Sequence, residues 1–156
     1  MMSTNEADEY AAFTVCNLAY LPKALVLAES LLRHEYKKIK IYLIDRKCDV
    51  NLPASMAEFI WIEDVGVPDL YELAFKYDIT ELSTSVKPFI ALSLLKLFER
   101  VIFLDPDTCI YSSLDPILLD LQAYPIVLTP HYTKPQNDTW PDSDIGMMRF
   151  GSFNLG

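Results

Sequence analysis

The chain has 156 residues, 51% of them hydrophobic and 22% charged, and a formal net charge of −9. That length suits one domain with a buried core, and the apolar content excludes a disordered tail. The acidic balance, with no basic cluster beyond Lys37, Lys38 and Lys40, argues against nucleic acid as a partner.

The amino terminus, M-M-S-T-N-E-A-D-E-Y, is polar and acidic, unlike a secretory leader. Phe13 to Asn17 reads as a first strand, and Pro22 opens a helix that runs to about His34. Ile39 to Ile44 is a second strand ending on Asp45, and Phe59 to Ile62 a third ending on Glu63 and Asp64. Asp69 to Tyr77 reads as a helix with an acidic start. Ser83 to Phe98 reads as another, capped by Ser83, Thr84 or Ser85, with Pro88 near its first turn. Val101 to Leu104 is a fourth strand, Ser112 to Leu121 a short helical piece, and Ile126 to Thr129 a fifth strand. His131 to Asp144 is a long polar loop. Strands alternating with helices predict an α/β fold with a mainly parallel sheet flanked by helices.

Helical apolar stretches are interrupted by Lys23, Glu29, Lys87 or Lys96, so no membrane span is expected. Cys16, Cys48 and Cys109 are widely spaced and lack a C-x-x-C pair, which suits reduced thiols in a cytoplasmic protein. Glycine occurs only at 66, 146, 151 and 156. No G-x-G-x-x-G or Walker A loop exists, so a nucleotide bound here is not held by a glycine-rich phosphate cradle.

The stretch Arg100 to Thr108, R-V-I-F-L-D-P-D-T, carries the most chemistry. Its apolar run suits a strand buried on both faces, and Asp105 and Asp107 follow at the carboxyl edge, where open α/β sheets bind ligands. Pro106 cannot donate to a ladder and turns the backbone out. Two carboxylates so close favour a divalent cation, Mn²⁺ or Mg²⁺, and through it phosphates. Lys87, in T-S-V-K-P-F, leads into that strand, where a helix start and an ammonium group offer an anion site. Asn17 to Tyr20 follow the first strand at the same edge; Asn17 is a hydrogen-bonding candidate and Tyr20 a stacking one.

The order N-L-A-Y-L, T-S-V-K-P-F, V-I-F-L-D-P-D-T, F-N-L-G resembles the nucleotide-sugar-dependent glycosyltransferases of the GT-A fold, above all the glycogenin-like family and its bacterial relatives. The resemblance implies that Asn17, Ala19 and Tyr20 wrap the nucleoside and that Lys87 contacts the donor as the catalytic lysine. It implies that Asp105 and Asp107 bind Mn²⁺ and the donor's ribose and diphosphate, and that Asn154 and Gly156 shape the sugar pocket. It also implies transfer from a UDP-linked donor, with retention, to a glycan, lipid, protein or small-molecule acceptor. The family completes its metal site with a downstream histidine, and none follows His131 here. The apolar S-F-N-L-G ending suggests one nucleotide-sugar-binding domain, 1–156, that continues past Gly156.

Three other readings compete with this one. A phosphatase of the haloacid-dehalogenase type needs Thr or Val four residues after the first Asp, where this chain has Cys109. A sugar nucleotidyltransferase would show a glycine-rich loop after the first strand. A non-catalytic nucleotide-sugar-binding or interaction module differs from the glycosyltransferase only in lacking turnover.

Overall fold

A computed structural model describes residues 10–131 and 153–154. The chain divides into two compact units, Met1–Leu114 and Asp115–Gly156.

The first unit opens with β1 (Tyr10–Cys16), α1 (Leu21–Glu35), β2 (Ile39–Leu43) and β3 (Ala57–Trp61). After a short 3-10 turn at Ile62–Asp64 come α2 (Leu70–Lys76), α3 (Ile79–Leu94) and β4 (Arg100–Phe103). The four strands form one sheet in the order β3-β2-β1-β4, and every pairing is parallel. The α/β architecture with a mainly parallel sheet is therefore as the alternation of elements predicts. β1 lies between β2 and β4, so the direction of winding reverses at its carboxyl end, the place where open α/β sheets bind ligands.

All seven residues of β1 are buried, because helices cover both faces of the sheet. Side chains alternate along a strand, so Ala11, Phe13 and Val15 share one face. They pack with Val86, Ile90 and Leu94 of α3 in a single core cluster. Phe13 is the centre of this layer, 5.3 Å from the Phe103 ring and edge-on to Tyr42 at 6.0 Å. Ala12, Thr14 and Cys16 point the other way, and α1 buries Ala24, Leu27, Ala28 and Leu31. Cys16 is sealed in, and burial, aided by the Asp45 charge, pushes its thiol up to about 12.

Helix α3 begins earlier than the sequence reading placed it. Asp78 accepts from the N–H groups of Thr80 and Glu81, both at 2.8 Å, and Glu81 accepts from Asp78 N–H at 3.1 Å. This reciprocal capping box outcompetes the Ser83-Thr84-Ser85 cluster. Ser83 and Ser85 instead donate back to Ile79 and Leu82 carbonyls inside the helix, and Pro88 lies in its interior.

The second unit contains α4 (Asp115–Ala123) and a two-stranded antiparallel sheet of β5 (Thr129–Pro130) and β6 (Phe153–Asn154). The fifth strand expected over Ile126 to Thr129 is thus reduced to its last residue plus Pro130, and it pairs antiparallel in a sheet of its own. Pro125 and Pro130 bracket the run and restrict its ladder. Of the polar loop read over His131 to Asp144, only His131 lies within the described residues. Among the described residues, no helix is long and apolar enough to cross a membrane.

Candidate functional site

The site is built on the carboxyl ends of β1, β2 and β4. Beyond Cys16 the backbone folds into a tight turn in which Tyr20 N–H donates to Asn17 O at 3.0 Å and to Asn17 Oδ1 at 2.9 Å. The Asn17 side chain therefore holds the loop itself. Ala19 is exposed at the turn's crest. Leu18 N–H donates to Asp45 Oδ2 at 2.7 Å, which ties this loop to the end of β2. Asp45 was visible in the sequence only as the residue ending a strand; its role depends on a contact across 27 residues.

On the other side of β1, Leu104 N–H donates to Phe13 O at 3.0 Å, adding one rung beyond β4. Asp105 O then accepts from Thr108 N–H at 3.1 Å and from Thr108 Oγ1 at 2.7 Å. These bonds close a β-turn with Pro106 at its second position, where a fixed φ is favourable. The turn leaves Asp105 half-buried and Asp107 exposed.

The two sides meet. Tyr20 OH donates to Asp107 Oδ2 at 3.2 Å, and Lys23 Nζ donates to Tyr20 OH at 2.8 Å. Lys23 also lies 3.9 Å from Asp107 Oδ2 and 4.1 Å from the centre of the Tyr20 ring. The expected stacking face of Tyr20 thus carries an ammonium group, and its hydroxyl engages the acidic turn.

Lys87 is the ninth residue of α3, so the helix start invoked for it from the sequence is not where it sits. It comes to the site through β4: its ammonium lies 4.2 Å from the centre of the Phe103 ring. Burial lowers its proton affinity, and the charge of Asp105 opposes that fall. Burial raises the Asp105 carboxyl above its ordinary value; Lys87 pulls it down and Asp107 pushes it further up. Two carboxylates and Lys87 therefore share one electrostatic neighbourhood.

The donor set suits a hard divalent cation only in part. Asp105 and Asp107 supply carboxylate oxygens that repel one another without added positive charge. Among the described residues no group of three or more His, Cys, Asp or Glu could enclose a metal ion. Two protein carboxylates fit an ion whose other ligands are phosphate oxygens and water, as is usual for Mg²⁺.

Asn154 lies in β6 of the second unit, opposite Thr129, and Gly156 lies outside the described residues. A cavity of about 340 Å³ opens at the carboxyl ends of β2 and β3, lined by Ile44, Asp45, Ile62, Leu82 and the aromatic pair Tyr71 and Phe75 of α2. It reaches the Asn17 to Tyr20 loop through Asp45. Nothing in the sequence pointed to it, because its walls come from four separated segments. No protein-family model and no curated protein matches this chain.

Proposed function

We propose that the chain is the donor-binding portion of a metal-dependent glycosyltransferase that takes a sugar from a nucleotide-diphosphate donor, UDP-linked, to an acceptor in the cytoplasm. The observation that carries this is the hydrogen bond from Tyr20 to Asp107, which joins two motifs 87 residues apart at one sheet edge. A crevice at a winding reversal is where open α/β sheets take nucleotides.

Asp105 and Asp107 are the residues that would hold Mn²⁺ or Mg²⁺. When bound, that ion supplies charge neutralisation for the leaving diphosphate. Lys87, partly desolvated beside Phe103, stabilises negative charge on donor oxygens more strongly than a solvated lysine would. Tyr20 and the turn anchored by Asn17 orient the nucleoside. The cavity beside Asp45, within the usual size range of small-molecule sites, accommodates the base.

Titration calorimetry with UDP in the presence of Mn²⁺ tests this. Binding should be measurable for the 156-residue chain and lost in Asp107→Ala. Unchanged UDP affinity in that variant would refute the metal bridge.

A further inference from the structure

The ammonium of Lys23 stands in a place that its own helix makes unfavourable. It is the third residue of α1, whose first turn contains no acidic side chain. A cation there opposes the positive end of the helix dipole. Helix α1 also lacks a side-chain cap, and the first-turn donors Lys23 N–H and Ala24 N–H already bond to Tyr20 O at 3.0 and 3.4 Å. An anion arriving here would meet the ammonium group rather than free backbone donors.

Lys23 is held in the free protein by Tyr20 OH at 2.8 Å, which also bonds to Asp107, and the ammonium itself lies 3.9 Å from Asp107 Oδ2. Side chains on both sides are about half exposed, so the pair is a surface one. Such pairs contribute little to stability and are readily exchanged. The two carboxylates and two lysines form a neutral set: Lys87 acts on Asp105, and Lys23 on Asp107. Adding a dication and a doubly charged diphosphate diester keeps the total at zero, and each ammonium group displaced from a carboxylate by the dication then has phosphate oxygens to pair with.

We propose that Lys23 is a second phosphate-binding lysine of this edge, held beside Asp107 in the free protein and turned to the donor's diphosphate once Asp107 gives its carboxylate to a divalent cation. This role rests on the glycosyltransferase reading, and it makes Lys23 a competitor for the metal-binding carboxylate as well as a ligand for the donor.

Calorimetry on the whole chain with Mn²⁺ alone, and then with UDP at saturating Mn²⁺, separates the two effects. Lys23→Met should bind Mn²⁺ alone about two- to fivefold more tightly, as expected for loss of a surface competitor. It should bind UDP about fivefold more weakly, with a shallower salt dependence, on the order expected for one exposed charge-assisted contact. Lys23→Arg should restore UDP affinity. Arg33→Met, with the same change in net charge in the last turn of α1, should leave both affinities unchanged. Wild-type UDP affinity in Lys23→Met would overturn the proposal. So would weaker Mn²⁺ binding in that variant, because Lys23 would then merely steady Asp107. If UDP binding is lost in Asp107→Ala yet Lys23→Met matches the wild type, only the lysine exchange fails. If the wild-type chain does not bind UDP with Mn²⁺, the glycosyltransferase reading fails and this inference fails with it.

Discussion

The two ends of β1 treat charge in opposite ways. At the amino end, Tyr10 OH donates to Glu35 Oε2 at 2.9 Å, and Glu35 Oε1 accepts from Leu114 N–H at 2.7 Å. Lys37 covers the Tyr10 ring at 4.3 Å, and Lys40 pairs with Glu58 directly across the β2–β3 ladder. Each group there has a partner from the protein, as in a structure being held shut. At the carboxyl end, Asp105 is pushed toward its protonated form and Lys87 toward its neutral form, both chiefly by burial. Burial there opposes the charged form of both groups.

The strongest way to break this contrast is to remove what both ends share. Phe13 is fully buried between them and touches the aromatic layer on both neighbouring strands. Phe13→Ala should cost about 3–5 kcal/mol of unfolding free energy in urea titration and weaken both ends together. A loss below about 1 kcal/mol would mean that the layer repacks around the cavity.

A milder cut isolates the amino end. Glu35→Ala removes the acceptor of the Tyr10 hydroxyl and of Leu114 N–H, and should cost about 1–3 kcal/mol. UDP affinity with Mn²⁺ should stay at the wild-type value; a parallel loss would mean that the two ends are not separable.

The smallest effect has the opposite sign. The Asp105 carboxyl holds its proton more tightly when folded than when unfolded. Its contribution to stability is therefore complete below the ordinary aspartate range and is lost as pH rises through the raised folded value. Asp105→Asn should flatten that decline, leave the metal-free protein slightly more stable at neutral pH, and abolish Mn²⁺-dependent UDP binding. A variant that is less stable at neutral pH would show that the carboxylate has a structural task.

The sheet was legible in the sequence because strands packed under helices are apolar nearly throughout, as Val101 to Leu104 and Ile39 to Ile44 are. But β4 is the edge strand and only Ile102 of it is buried, so the burial on both faces expected there belongs to β1 instead. Helix α3 was misplaced because three hydroxyl residues and Pro88 imitate a helix start. The stronger signal was Asp78 with Glu81 three residues on, one turn earlier. Of the site, Asp105, Asp107, Lys87 and Tyr20 could be read from motifs that end or precede strands. Asp45 and Lys23 could not, since each acquires its meaning from a partner 27 or 84 residues away. In the sequence, Lys23 was only a charge interrupting an apolar helix.

The last ladder rung, from Leu104 N–H to Phe13 O, comes one residue before Asp105. The carboxylate thus stands on two rotatable side-chain bonds above a fixed backbone, and a β-turn immediately restrains the chain beyond it. Ordering an aspartate so mounted loses little conformational entropy, whereas ordering a lysine forfeits about 1.5–2 kcal/mol of rotamer freedom. The acidic pair therefore gives the edge a reference point that is settled before any ligand arrives. The lysines have the longer reach, and each already gives up part of that freedom against an aromatic ring, Lys23 on Tyr20 and Lys87 on Phe103.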